Sequence, residues 1–492
     1  MLKHFPIYII ILCACAQVML SCAEEESWTS DASARLEFSA DSVVFDTLLS
    51  TVPSATRTLT VYNRNADGVR LPLVRLLQGG ESHFRVNVDG QYLAGGVGED
   101  FEIRGRDSMM VRVEVTLPRT GSVVPVGFED RLDFQLESGV VQGVVLTAGG
   151  QDALFMRGRV IGADTVLASA LPIVVYDSLV VGEGATLTLA PGTTLMFHDR
   201  ASLQVRGTLL SLGSLEKPVT LRGDRTDRMF PYLPYDNTPS RWEGVHLHAS
   251  SRGNRLSYTD LHSGRYGILC DSTGLDGEPM LEMDGCVIHN IGGDGLQLNN
   301  CRATVRNTQV SNTQGRCVSL FGGAYRFEFC TLAQFYPFTA ERGEALYVSN
   351  HEGDNFRHLA EAHFLSCVIT GYGDDVIMGS ISEGQDEAVN YLFSHCFLNT
   401  VESDDELRFP AVRYDHLPQG EEVNDDEEQL LRERNFRLFD TENFLYDFTP
   451  DSLSLIRNMA DTALARRLPF DRLGRSRLAD EAPDAGCLEY MP

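Results

Sequence analysis

From residue 256 onward one pattern keeps returning. An apolar residue, any residue and a second apolar residue are followed, after two intervening residues, by a small residue or cysteine. It reads Leu256-x-Tyr258…Leu261, Leu281-x-Met283…Cys286, Ala303-x-Val305…Thr308, Tyr325-x-Phe327…Cys330, Ala362-x-Phe364…Cys367 and Tyr391-x-Phe393…Cys396. From Cys286 to Thr308 to Cys330 the step is 22 residues each time. A second column, Ile268, Leu296, Val318 and Leu346, runs beside it. Alternation at period two marks strands with one buried face. Strands this short cannot build a sandwich core, but copies can stack, each coil burying its apolar side against the next. A step near 22 fits three short strands and three turns. The longer steps before Cys367 and Cys396 predict loops inserted into single coils.

The same style opens earlier, in Leu179-Val180-Val181, Thr186-Leu187-Thr188-Leu189, Thr194-Leu195-Met196-Phe197 and Leu203-Gln204-Val205, with Gly or Pro191-Gly192 turns about every eight residues. This repeat resembles the right-handed parallel β-helix of the pectate-lyase superfamily, specifically bacterial lipoproteins known as β-helix repeat proteins. The resemblance implies a right-handed parallel β-helix over residues 160–400. Residues 401–435 read as an acidic insertion, with Asp404-Asp405-Glu406 and Asp425-Asp426-Glu427-Glu428 expected in a solvated loop or short helix. Residues 436–492 contain Asp471-x-x-Gly474-x-x-Arg477 and Pro483-Asp484-Ala485-Gly486-Cys487-Leu488-Glu489-Tyr490. They resemble the ending of many such β-helices, apart from Ala485, Cys487 and Leu488. The implied role is completion and capping of the solenoid against edge pairing.

Residues 35–155 alternate differently. Val43-Val44-Phe45, Thr58 to Tyr62, Phe84 to Val88, Met110 to Val115 and Leu132 to Leu136 are separated by turn signals such as Asp89-Gly90 and Gly121-Ser122. About seven strands in about 110 residues predict an antiparallel sandwich. Phe45, Thr60-Val61-Tyr62-Asn63 and Val111-Arg112-Val113 resemble immunoglobulin-like domains of the Hydin and abnormal-spindle type. The fold class expected is therefore all-β: an Ig-like β-sandwich followed by a solenoid.

The N-terminus carries Lys3 and then an apolar run from Phe5 to Leu20, the anatomy of a secretory signal over residues 1–21. Met19-Leu20-Ser21-Cys22 resembles the lipobox of bacterial lipoproteins, although Met19 and Leu20 depart from its preferred residues. The resemblance implies lipid attachment at Cys22 and a membrane anchor. Glu24-Glu25-Glu26, in an acidic tether over 22–34, resembles a surface-export signal, which implies the outer membrane and an outward face. Eight cysteines follow Cys22. An even count in an exported chain usually suggests disulfides. Cys286, Cys330, Cys367 and Cys396 share one repeat position, however, and a buried ladder of free thiols is expected instead.

The net charge is -28 and only Lys3 and Lys217 are lysines. Nucleic acid is excluded as a partner, because its binding rests on phosphate neutralisation. No cofactor is indicated. The nearest trace of the paired carboxylates of a polygalacturonase-type hydrolase is Asp374 and Asp375 with Asp294, and Asp beside Gly is equally a turn residue. His246 and His248 share one strand face, as two metal-ligating imidazoles would, with no third ligand evident. A Pro-held insertion supplies Phe230, Tyr232 and Tyr235 just before Trp242, flat faces on which a ligand could stack. A non-catalytic surface module binding glycan, matrix or protein is the expected function. The alternatives are a polysaccharide lyase or glycoside hydrolase and a structural envelope protein.

Overall fold

Strict alternation makes sheets with one buried side, and residues 26–152 build two of them face to face. The computed structural model describes residues 26–353, 355–381, 389–415 and 435–492. The expected signal peptide over residues 1–21, Cys22 and residues 416–434 of the acidic insertion lie outside these. The chain divides between Asp152 and Ala153 into two compact units. In the first, Gly68–Leu76, Val126–Gln135, Val141–Gln151 and Ser42–Leu49 are the main strands of one sheet. Leu36–Phe38, Arg57–Asn63, Ser108–Val115 and Phe84–Val88 lie side by side in the other. Most neighbours are antiparallel, but Ser42–Leu49 lies parallel to Val141–Gln151. Met109, Val111, Val113 and Val115 point inward while Met110 is 46% exposed. The unit is an Ig-like β-sandwich.

The second unit is a parallel β-solenoid. One coil consists of Leu281–Asp284, Val287–Ile291 and Leu296–Asn299, and the next begins at Arg302–Arg306. Each strand pairs in parallel with its counterpart one coil on, which creates three long faces. Face A carries Gly244–Leu247, Ile268–Cys270, Leu296–Asn299 and Val318–Phe321. Face B carries Val219–Gly223, Thr259–His262, Val287–Ile291 and Gln309–Thr313. Face C carries Asn254–Ser257, Leu281–Asp284, Arg302–Arg306 and Gly323–Glu328. Like stacks on like inside. Ile268, Leu296, Val318, Leu346 and Ile377 form one column, as the sequence spacing predicted. The rings of Phe327, Phe364, Phe393 and Phe409 form another, 4.9, 4.9 and 5.3 Å apart and nearly coplanar in orientation. That spacing matches the distance between strands, about 4.8 Å.

The corner from face C to face B explains the cysteines. One residue per coil takes a left-handed conformation there: Tyr258, Gly285, Asn307, Phe329, Ser366 and His395 all have positive φ. The corner breaks the regular ladder and leaves the next N–H without a strand partner. A small side chain from the following coil accepts it. Cys286 N donates to Thr308 Oγ1, Cys330 N to Cys367 Sγ, and Cys367 N to Cys396 Sγ. All eight cysteines in the described residues are buried free thiols. Burial pushes Cys286 and Cys317 up to about 12, so neither is a thiolate near neutrality. One register differs from the sequence reading. Leu256 pairs with Met283 and Asn254 with Leu281, so the first copy is Asn254-x-Leu256…Thr259, two residues earlier than the apolar pattern suggested. Asn254 occupies an apolar position because its side chain is fully bonded, donating to Met280 O and accepting from Leu209 N.

Residues 436–492 add no strand to the three faces among the described residues. Phe436–Asp440 and Leu445–Pro450 pair with each other, and the segment lies along the outside of face B. There Phe335, Val368 and Phe397 pack against Phe436, Phe448 and Ile456. Asp471, Gly474 and Arg477, expected to cap the end, act on the flank of the middle coils. Arg477 is fully buried over the Phe329 ring. It donates to Glu489 Oε1 at 2.6 Å and to Asn307 Oδ1 at 2.9 Å. Asp471 accepts the N–H groups of Leu473, Arg475 and Glu489. Burial pushes Glu489 up to about 7 even though Arg477 opposes this.

Candidate functional site

Outward positions on face B stack in two columns, read directly from the register. Thr220, Asp260, Val287 and Gln309 form one, and Leu221, two residues before Gly223, separates it from Arg222, which begins the second column of His262, His289 and Ser311. Rungs about 4.8 Å apart bring these polar groups into contact. His262 Nδ1 lies 2.6 Å from Asp260 Oδ1 and its Nε2 3.0 Å from Asp236 Oδ1. His289 Nε2 is 3.4 Å from Asp260 Oδ1, and Arg222 reaches Asp236 Oδ2 at 2.7 Å. Burial disfavours charge on His262, but Asp260 and Asp236 more than offset it and hold the imidazolium up to about 9. Burial likewise opposes the Asp260 charge, yet His262 and His289 keep that carboxyl well below its usual range. Asp260, His262 and His289 thus form an ion-pair network, and their ligand atoms are also close enough together to hold a metal.

This network pins the aromatic insertion. Asp236 sits in a single 3-10 turn, Tyr235–Asn237, and Asn290 Nδ2 donates to the neighbouring Asn237 O at 2.9 Å. Tyr235 is clasped between Arg225 and Arg241, whose guanidinium carbons lie 3.9 and 5.5 Å from the ring centre. Beside it, face B and the C-terminal hairpin enclose a cleft of about 320 Å³. Its floor includes Asp260, His289, Gln309 and Ser311, and its far wall includes Phe444 and Tyr446. From Phe444, which lines the cleft, a series of aromatic contacts leads outward. Phe230 stacks on Tyr232 at 5.7 Å, Tyr232 meets Phe444 at 6.1 Å, and Phe444 meets Phe338 at 5.1 Å. Phe230 and Tyr232 are 50% and 46% exposed, which leaves ring faces free for a ligand. Phe444 has φ +57°, an uncommon conformation for a bulky residue, in the turn that delivers its ring to this line.

The residues singled out from sequence fall in different places. Phe230 and Tyr232 form an exposed stack that reaches Phe444. Tyr235 is a half-buried structural clasp. Trp242 is a correction: it is 1% exposed, stacked on Phe197 at 4.3 Å, with Nε1 donating to His262 O. It is a core residue because its strand-start position faces the solenoid interior, where the large ring fills a full layer. Asp294 accepts from Arg316 N and Ser319 Oγ, and Asp375 from Ile377 N and Thr400 Oγ1. Asp294 and Asp375 each stand two residues before the same column, at Leu296 and Ile377, three rungs apart. That is roughly 14 Å, beyond the ~5–9.5 Å that separates glycosidase carboxylates. Asp374 is exposed beside Asp375. His246 and His248 do face outward on one strand, over buried Val245 and Leu247, and a third group, Asp271, meets them there. Cys22 lies outside the described residues. Sequence reasoning missed Asp236, Asp260, His262, His289 and Asp271. The local cue was Asp260-Leu261-His262, an alternating outward pair like Trp242-Glu243-Gly244-Val245-His246-Leu247-His248.

No family model and no curated protein matches the chain. Among solved structures, a PapD-like domain of human CEP192 is 16% identical and matches 25% of this chain and 89% of its own, with a TM-score of 0.17. The E. coli chaperone DraB is 16% identical over 23% of this chain and 54% of its own, also at 0.17. A protein of unknown function from Porphyromonas gingivalis is 15% identical over 25% and 58%, at 0.18.

Proposed function

We propose that this chain is a lipid-anchored envelope protein, held on the outer membrane with its body facing outward, which binds a glycan in the flank cleft without cleaving it. The observation that carries the reading is the exposed Phe230–Tyr232 stack continuing into Phe444, which lines a cleft that also holds amide, hydroxyl, imidazole and carboxylate groups. Sugars offer apolar ring faces and hydroxyl edges, and this arrangement complements both. The acid and base groups favour binding over turnover. Asp236 and Asp260 flank the His262 ring, so imidazolium fills the space a sugar and a water would need between two carboxylates. Ser311 stands one rung beyond His289, but its hydroxyl is engaged by Gln309 Nε2 at 2.9 Å.

A glycan array with the Cys22→Ser chain identifies the ligand, and titration calorimetry then tests the exposed stack. Replacing Phe230 and Tyr232 together by Ala removes two stacking faces, each contributing ~1 kcal/mol or more. Affinity is expected to fall about tenfold or further. Unchanged affinity would remove the cleft from consideration. Release of shortened product from an acidic polysaccharide would replace the binding reading with the lyase or hydrolase one. The anchor has a separate test: a fatty-acid probe should label the wild type in cells and leave Cys22→Ser unlabelled. Equal labelling of both would end that part of the reading.

A further inference from the structure

We propose that His246, His248 and Asp271 form a binding site for a divalent ion of the zinc class, on face A and independent of the glycan cleft. The fold supplies the geometry. His246 and His248 alternate outward on Gly244–Leu247 and the residue after it, while Asp271 follows Ile268–Cys270 on the next rung, level with His248 because Leu247 pairs with Cys270. Two donors from one rung and one from its neighbour thus converge. His246 Nε2 is 2.8 Å from Asp271 Oδ1, and His248 Nδ1 is 3.6 Å from Asp271 Oδ2. The imidazole centres are 4.0 Å apart, and all three ligand atoms fall within 4.8 Å of one another. A tetrahedral shell with bonds near 2.0–2.1 Å places its ligand atoms about 3.4 Å apart, so small side-chain rotations suffice.

The tautomer also fits. His248 Nε2 lies 2.6 Å from Gln204 Oε1, whose amide nitrogen is itself bonded to Ser202 Oγ. Gln204 Oε1 can only accept, so the proton sits on His248 Nε2 and the lone pair on Nδ1 points toward Asp271. An outer partner that fixes a ligating imidazole in this way is a regular companion of metal sites. Two imidazoles and one carboxylate suit Zn²⁺ or Co²⁺ better than Mg²⁺ or Ca²⁺, which take oxygen ligands. The side chains are 27%, 16% and 36% exposed, so solvent reaches the group and a fourth position is open to water or to an oxygen of a bound molecule.

Equilibrium dialysis of the full chain against Zn²⁺ tests the site, with Co²⁺ as a spectroscopic substitute. One ion per chain is expected, and Co²⁺ should give the intense visible bands of a four-coordinate centre. Replacing His246 and His248 by Gln should weaken binding more than about a hundredfold, because losing only an outer partner costs about 10–100-fold. Asp271→Asn, which keeps the shape but not the charge, should also weaken it. His198→Gln, at a histidine paired with Asp224, should change nothing. Absence of bound Zn²⁺, or equal affinity in the double variant, would overturn the proposal. So would six-coordinate Co²⁺ bands insensitive to Asp271→Asn, a result that stands even if the double variant misfolds.

Discussion

Replacing Arg477 by Met is expected to destabilise the protein by about 3–5 kcal/mol, the usual effect of removing one partner from a buried ion pair. Methionine can fill much of the space over Phe329, so the loss is electrostatic rather than a cavity. Glu489 and Asn307 lose their bonds to Arg477. The pH dependence gives a second check. Burial already lifts Glu489 to about 7 from an ordinary 4.5. A carboxyl raised on folding contributes stability that is fully present below its unfolded pKa and is lost as pH rises through the folded value. Without Arg477 opposing it, Glu489 climbs further and the loss extends to higher pH. The deficit of Arg477→Met should therefore be larger at pH 8 than at pH 5 in urea unfolding. A deficit under about 1 kcal/mol, or one equal at both pH values, would show that the pair does not hold the C-terminal segment.

The second large effect belongs to His262. Its pKa rises from 6.5 to about 9 because Asp260 and Asp236 outweigh its burial, a difference equivalent to about 3 kcal/mol. The sign follows from which form the fold prefers. A histidine raised on folding contributes stability fully present below about 6.5, and that contribution disappears as pH climbs through about 9. Stability of the wild type should decline across this window. His262→Gln should lower stability by about 3 kcal/mol at pH 6.5 and abolish the decline. Asp260 acts elsewhere on the pH axis: a depressed carboxyl contributes above its unfolded pKa and weakens the fold only under acid conditions. A variant that keeps the wild-type slope between pH 6.5 and 9 would assign that slope to another group.

The repeat was legible because stacking makes sequence periodic. Leu296 and Val318 are equivalent residues in successive coils, and so they sit a fixed distance apart in the chain. Cys330, Cys367 and Cys396 could be aligned even across insertions, because only a small side chain fits the corner they share. Legibility failed where a polar residue replaced an apolar one. Asn254 broke the pattern, and the first copy was placed two residues late. The site was less legible than the fold. His262 and His289 stand on adjacent rungs, but the insertion between Asp271 and Met280 lengthens that coil to 27 residues, and the departure from the 22-residue step hides the match. Phe230 and Tyr232 could be seen as a pair of stacking rings, whereas their continuation into Phe444 depends on a segment more than 200 residues away returning to the flank. Trp242 looked like a companion of that loop by sequence proximity, yet it belongs to the interior layer beside Phe197.

The way the C-terminal segment grips the flank also orders assembly in time. Contacts between coils join residues only one repeat apart, so rungs can form one after another as the chain emerges, with little loop entropy to overcome. The bond from Arg477 to Asn307 spans 170 residues, and that from Cys487 N to Thr331 Oγ1 spans 156. Those contacts close a long loop and require the middle coils to exist first. The hairpin that carries Phe444 and Tyr446 belongs to the same segment, so the wall of the cleft arrives after the stacked body. A nascent chain, or one shortened at its C-terminus, would have the stacked body and the polar floor but no binding cleft. In the proposed reading, glycan binding therefore depends on this segment docking on the flank.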